Sequence, residues 1–114
     1  MARDARIVLL EILDVISRIE ETAKQRTREE IEAEFMVFLG IQRAIEIISE
    51  ASRHIPVELL DTERNIPWSS IRGMGNVLRH EYHRIASDVI WDAIQHDLPQ
   101  LKSAIERMMT IARP

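Results

Sequence analysis

The sequence predicts an all-α fold, an antiparallel bundle of four to five helices. Along most of the chain, apolar residues recur at intervals of three and four, which is the spacing of an amphipathic helix. Only three glycines are present, and the Asn-Gly and Asp-Gly pairs typical of β-hairpin turns do not occur. A chain of 114 residues can form one hydrophobic core. We therefore expect a single domain over residues 1–114.

The first half of the chain predicts two long helices. The first has apolar residues at helical spacing, namely Leu9, Ile12, Leu13, Ile16 and Ile19. A turn is expected near residues 25–28, inside a charge-rich stretch. The second helix is predicted to run through Ile31 and Ile48 as one element. It should end before Pro56, because the residue that precedes a proline disfavours helical backbone.

The second half predicts a connection and two further helices. The segment between Pro56 and Pro67 is predicted to be an irregular connection with room for one short helical turn. A third helix should begin near Trp68 and end near position 82 or 83. A fourth is predicted to begin with Ser87 as its N-cap. Pro99 should kink or split that helix, because proline lacks the backbone N–H and its ring crowds the preceding turn.

Composition excludes several classes of protein. The net charge is -4, so any nucleic acid would have to be bound by a local basic face. The absence of cysteine excludes disulfides and thiolate metal sites. No apolar run approaches the length of a membrane span, and the first ten residues lack the apolar core of a signal peptide. We expect a cytoplasmic protein without a membrane partner.

Residues 66–82, which read IPWSSIRGMGNVLRHEY, carry the densest set of chemically useful side chains. Successive residues of a helix turn by about 100°, so polar and apolar side chains separate here. Five polar residues are predicted to share one face: Arg72, Asn76, Arg79, His80 and His83. Four apolar residues are predicted to face the core: Ile71, Met74, Leu78 and Ile85.

This polar face suits cleavage of a phosphodiester without a metal. A histidine such as His80 can accept a proton from an attacking hydroxyl or donate one to the leaving oxygen. Arg72 and Arg79 can stabilise the charge that develops on phosphorus, and Asn76 can orient the histidine or the phosphate. The alternative is that these residues form the ordinary solvated face of an amphipathic helix.

The same segment is similar to the HepT-like family of HEPN proteins. Its family pattern is matched by Ile66, Pro67, Trp68, Ile71, Gly73, Met74, Asn76, Leu78, His80 and Tyr82. A second stretch, residues 43–51, resembles another family pattern, with Ser49 in place of the family's glycine. Trp91 and residues 97–102 resemble the family's last helix. The resemblance runs from the first predicted helix to the last.

The resemblance implies the toxin of a HEPN and nucleotidyltransferase (MNT-type) toxin–antitoxin pair. Such a protein would be a homodimer that cleaves RNA without a metal or other cofactor. His80 would be the general acid and base, and Asn76 would orient it. Tyr82 would be the residue that accepts AMP from the nucleotidyltransferase, which silences the toxin.

One departure from the family concerns catalysis. The family signature is an arginine, four residues, a histidine, one residue and a tyrosine, and Gly75 stands at the arginine position. Cleavage would be weakened or lost unless Arg72 or Arg79, each about one turn away, replaces that arginine. We favour Arg72, because Gly73 leaves space beside it. The alternative is a catalytically silent scaffold that binds a nucleotidyltransferase or RNA without cutting.

Other interpretations are less favoured by the sequence. A carboxylate-bridged metal site would need a glutamate three residues before a histidine, and none of the four histidines has one. The pair of His80 and His83 could hold a metal, but no partner motif is visible. Trp68 and Trp91 are interpreted as packing residues rather than base-stacking platforms.

An apolar patch follows the acidic residues that precede position 35. It consists of Phe35, Met36, Phe38 and Leu39, more than one buried stripe requires. The patch fits either a dimer interface or burial inside the bundle.

Overall fold

The structure, a computed structural model, describes residues 4–80 and 83–112. All regular secondary structure in these residues is helical, which confirms the predicted all-α fold. The α-helices are α1 (Ala5–Ala23), α2 (Arg28–Ala33), α3 (Phe35–Ser52), α4 (Val57–Leu60), α5 (Trp68–His80), α6 (His83–Asp92) and α7 (Leu98–Ile111). Within the described residues, five of them are ten or more residues long and form the bundle.

Helix α1 lies at the centre of the bundle and packs against α3 and α7. Its N-terminus is capped by Asp4, whose carboxylate accepts a hydrogen bond from the Arg6 N–H at 2.8 Å. The predicted apolar stripe faces inward: Leu9, Ile12, Ile16 and Ile19 are all buried. Helical periodicity alone was enough to predict this helix.

The prediction of one long second helix is wrong, because α2 and α3 are separate. Thr27 and Glu30 form a capping box that starts α2, with each side chain accepting a hydrogen bond from the other's backbone N–H. The chain leaves helical geometry at Glu34, whose φ and ψ are -88° and 93°. The Arg26 guanidinium contacts the Glu34 carboxylate at 2.7 Å and lowers its pKa. This pair ties the break to the preceding turn.

The connection between α3 and α5 contains one short helix, α4, and a 3₁₀ turn, Asp61–Glu63. Glu63 is buried, and Arg107 of α7 donates two hydrogen bonds to its carboxylate, at 2.7 and 2.9 Å. These hydrogen bonds lower the pKa of Glu63. The connection is therefore fixed to α7 by a charged pair rather than only by apolar packing.

Helix α6 differs from the prediction at two residues. It begins at His83, and Ser87 is a buried residue inside it rather than its N-cap. The Ser87 hydroxyl donates a hydrogen bond to Glu32 of α2 at 2.5 Å. Ile85 was predicted in the core but is 43 % exposed. Because α6 is a separate helix, the core face of α5 does not continue into it, and Ala86 faces inward instead.

Pro99 interrupts the last helical stretch, as predicted. Five π-helical residues, Ala93–Asp97, separate α6 from α7, and Pro99 lies in the first turn of α7. A proline is tolerated there because first-turn N–H groups have no helical partner.

No helix in residues 4–80 or 83–112 combines the length and the apolar character needed to cross a bilayer. The apolar patch named above is divided between two environments. Phe38 is buried, whereas Phe35, Met36 and Leu39 are 68 %, 75 % and 40 % exposed.

Candidate functional site

Helix α5 is held against α3 along its whole length. Its first residue, Trp68, is buried, and the indole N–H donates to the main-chain carbonyl of Glu63 at 3.0 Å. Ile71 and Leu78 are buried on the same helix. At the other end, the Gln42 amide donates to the carbonyl of Leu78 at 3.1 Å. These contacts fix which face of α5 meets solvent, and they support the interpretation of Trp68 as a packing residue.

A polar groove of about 260 Å³ lies between α3 and α5. Four arginines line it, two from each helix: Arg43, Arg53, Arg72 and Arg79. Three glutamates also line it: Glu11, Glu46 and Glu50. The lining thus carries one more formal positive than negative charge, in a chain whose net charge is -4. The local basic face that nucleic acid would require is located here.

The ion pairs inside the groove are long. Arg43 and Arg79 approach the same oxygen of Glu46 at 3.5 and 3.9 Å. Arg53 approaches Glu50 at 3.6 Å and donates to the main-chain carbonyl of Arg72 at 3.1 Å. Exposed contacts of this length contribute little to stability. The guanidinium groups can therefore turn toward an anion at small cost.

Three of the predicted site residues line this groove together: Arg72, Asn76 and Arg79. His80 follows Arg79 at the end of α5 and is exposed, but it is not part of the groove lining. Residues 72–80 are helical, as the predicted polar face requires. Tyr82, the predicted modification site, lies outside the described residues.

The prediction that His83 shares this face is wrong. His83 belongs to α6, and its ring stacks on Phe38 with ring centroids 4.2 Å apart. It lines a different groove, formed with Arg28 and Glu32 of α2 and with Ser87 of α6. The pKa of Glu32 is lowered there by the hydrogen bond from Ser87 and then by that from Arg28. A face extrapolated along one helix fails where a second helix begins.

Gly75 forms the floor of the groove, together with Ser49 of α3. Both residues are buried, and the Gly75 N–H donates to the Ser49 hydroxyl at 2.9 Å. These are the two positions at which the sequence departs from the family patterns quoted above. They are 26 residues apart in the chain and in direct contact in the structure.

Sequence reasoning missed the residues that α3 contributes to the site. Arg43, Glu46 and Ser49 belong to a stretch that resembles a family pattern, but nothing local indicated that they face α5. Spacing along α3 places Arg43, Glu46 and Glu50 on one face, since they are three and four residues apart. That signal could have suggested a shared groove wall, but not the helix opposite.

Within residues 4–80 and 83–112, no group of three or more histidine, aspartate or glutamate side chains is arranged to hold a metal ion. The described side chains of the groove offer arginines and an amide rather than a set of metal ligands. What they can do is bind an anion and hold it next to an exposed imidazole.

Comparisons with known proteins identify relatives of this chain. The family model described as "Ribonuclease HepT-like" matches residues 12–108. The chain is 32 % identical over 104 residues to "Putative RNase MJ1380" of Methanocaldococcus jannaschii, covering 91 % of this chain and 95 % of that protein. It is 31 % identical over 108 residues to "Probable ribonuclease HepT" of Thermococcus cleftensis, covering 95 % and 98 %.

A third relative is longer. The chain is 31 % identical over 109 residues to "Gamma-glutamylcyclotransferase and putative RNase MJ0434" of M. jannaschii, covering 96 % of this chain but 49 % of that protein. This chain thus spans about half the length of that relative. No solved structure matches the chain significantly. The family match extends over most of the chain, and the chain belongs to the HepT-like ribonuclease family.

Proposed function

We propose that the protein is an endoribonuclease that cleaves RNA without a metal at the groove between α3 and α5. One observation carries the proposal. Arg72, Asn76 and Arg79 line a single groove on the helix that presents His80 to solvent at its end. Membership of the HepT-like ribonuclease family supports the same activity.

In the proposed reaction, His80 transfers a proton between two oxygens of the RNA. The neutral imidazole accepts the proton of a 2'-hydroxyl while that oxygen attacks the adjacent phosphorus. A bond forms between the 2'-oxygen and phosphorus, and the bond between phosphorus and the 5'-oxygen breaks. The leaving oxygen takes the proton from an imidazolium, so the products are a 2',3'-cyclic phosphate and a 5'-hydroxyl. No oxidant or further reactant is needed.

The groove arginines stabilise the negative charge that develops during this step. Arg72 and Arg79 are one to two helical turns apart on α5, and each can donate forked hydrogen bonds to phosphate oxygens. Asn76 lies between them in the sequence and can donate to phosphate or orient His80. Because Gly75 supplies no charge, Arg72 takes the place of the arginine that the family signature contains.

We propose a homodimer as the working unit, acting in the cytoplasm as the toxin of a toxin–antitoxin pair. A second copy would bring another His80 to a cleft shared by the two subunits. The partner would be an MNT-type nucleotidyltransferase that transfers AMP from ATP to Tyr82. In that step the tyrosine oxygen bonds to the α-phosphorus and pyrophosphate leaves. The added charge would repel an RNA phosphate.

Purified protein incubated with RNA in EDTA tests the activity. The wild type should cleave, and His80→Ala should reduce the rate about 100-fold or more, because general acid–base catalysis is lost. His96→Ala is the matched control, since His96 is an exposed histidine in the π-helical segment, away from the groove. Equal cleavage by wild type and His80→Ala would contradict the proposed role of His80.

A second candidate function is favoured by Gly75 itself. If a charged side chain on the floor is indispensable, the protein is a silent scaffold that binds RNA or the nucleotidyltransferase. The same experiment separates the two functions: absence of cleavage in the wild type, with RNA still bound, supports the scaffold.

A further inference from the structure

Position 75 is the point of closest approach between α5 and α3. A Cβ atom built on Gly75 would lie 3.2 Å from the Ser49 Cβ, 3.3 Å from the Glu46 Cα and 3.4 Å from the Ser49 Oγ. The first two distances are shorter than ordinary van der Waals contact between carbon atoms. Two of the three contacts are with the side chain of Ser49. Any side chain at position 75 therefore has to displace Ser49 or push the helices apart.

The Ser49 hydroxyl resists that displacement because it is bonded to α5 twice. It donates to the main-chain carbonyl of Ile71 at 2.8 Å and accepts from the N–H of Gly75 at 2.9 Å. Those two backbone groups are four residues apart, so they are the pair that an α-helical hydrogen bond joins. Ser49 is 4 % exposed, and a buried hydroxyl that loses both partners incurs a desolvation cost.

We propose that Ser49 determines which side chains position 75 of the groove floor can accommodate. While serine occupies position 49, only glycine fits at position 75 without strain. With glycine at position 49, the floor accepts a side chain, including a guanidinium that reaches the groove. This inference deepens the proposed function, because that guanidinium would bind the RNA phosphate, but the steric coupling can be measured without any RNA.

Gly73 provides a matched control on the same helix. A Cβ atom built on Gly73 has no other atom within 4 Å. Gly73→Ala should therefore show only the higher helix propensity of alanine and raise the unfolding midpoint by about 4 °C. Gly75→Ala makes the same chemical change two residues away, so the difference between the two variants isolates the effect of Ser49 and Glu46.

The decisive experiment is thermal unfolding of the wild type, Gly75→Ala, Ser49→Gly and the double variant. Gly75→Ala should lower the midpoint by about 4 °C or more in the presence of Ser49, because overpacking outweighs the propensity gain. In the Ser49→Gly background, the same change should raise the midpoint by about 4 °C. An identical effect of Gly75→Ala in both backgrounds would overturn the proposal.

A functional arm uses arginine in place of alanine. Ser49→Gly combined with Gly75→Arg should bind single-stranded RNA with a steeper salt dependence than Ser49→Gly alone, by about 0.7 in the logarithmic slope for one added phosphate contact. Coupled midpoints without RNA cleavage in any variant would support the role of Ser49 and count against the proposed ribonuclease. Cleavage that depends on His80, together with additive midpoints, would do the reverse.

Discussion

Arginines occupy two kinds of position in this protein. On α7, Arg107 donates two hydrogen bonds of 2.7 and 2.9 Å to the buried carboxylate of Glu63. In the groove, Arg43 and Arg79 share one oxygen of Glu46 at 3.5 and 3.9 Å. The first arrangement is bidentate and saturates its carboxylate, whereas the second leaves most donors of both guanidinium groups available. Geometry thus distinguishes an arginine that holds the fold from one that can bind a ligand.

The energetic reason lies in solvation. A buried carboxylate without a partner is costly, so removal of its arginine destabilises the folded state. An exposed arginine loses little when a long ion pair is broken, since water replaces the contact. Stability and RNA cleavage should therefore respond to different arginines, and this separation can be tested.

The largest effect is expected for the double variant Arg72→Ala/Arg79→Ala. RNA cleavage should fall about 100-fold, because two donors to the phosphate are removed. The unfolding midpoint should stay close to that of the wild type, since Arg79 is 56 % exposed and its ion pair is long. Arg18→Ala is the control, as Arg18 is an exposed arginine of α1 outside the groove. A large drop in midpoint would place these arginines with Arg107.

Arg107→Leu should produce the opposite pattern. The Glu63 carboxylate would remain buried without its two hydrogen bonds, so the unfolding midpoint should fall by several degrees. The rate of RNA cleavage well below the midpoint should equal that of the wild type. Unchanged thermal unfolding would show that the short pair is not needed by the fold.

The pH dependence of stability sharpens the same contrast. Arg107 lowers the pKa of Glu63 below its ordinary value of 4.5, so the folded state binds this proton less readily than the unfolded state. The stabilisation is complete above pH 4.5 and is lost as the pH falls from there through the lowered pKa. Urea unfolding between about pH 3 and 6 should show this loss.

In Arg107→Leu the loss should be smaller, because the main cause of the lowered pKa is gone. Glu32 and Glu34, whose pKa values are lowered by their own partners, retain part of the dependence in both proteins. Parallel curves for the two proteins would assign the acid sensitivity to those residues and not to Glu63.

The smallest effect is expected for Glu46→Gln. This change keeps the shape of the side chain and removes a negative charge beside Arg43 and Arg79. RNA affinity should rise about threefold at low salt, in keeping with the weak coupling of long ion pairs. The gain should shrink as salt is added. Weaker RNA binding would show that Glu46 orders the arginines rather than competing with the phosphate.

Local pattern predicted most helices but not all of their boundaries. The stripe from Leu9 to Ile19 and the interruption near Pro99 follow from periodicity and proline chemistry. The break at Glu34 was not predicted, because it depends on how the Arg26–Glu34 pair and the capping box of α2 fit together in space. Ser87 resembled an N-cap by residue type, but its hydroxyl is used by Glu32 of another helix.

The candidate site divides in the same way. Arg72, Asn76 and Arg79 share a face because they are three and four residues apart on one helix, and this was predictable. His83 was wrongly added to them, since a repeat of 100° per residue applies only while one helix continues. The contribution of α3 was not predicted, because periodicity defines the faces of a helix but not its neighbour.

The amino-acid sequence by itself determined the helical class, the polar face of α5 and the family, since each depends on residue types at short or fixed spacings. Only the tertiary structure decided that Ser49 and Gly75 meet, that α3 supplies half of the groove's arginines, and that Arg107 is committed to Glu63. Each of these is a contact between residues distant in the chain. Such contacts depend on how helices pack, and packing is a property of the whole core rather than of any one segment.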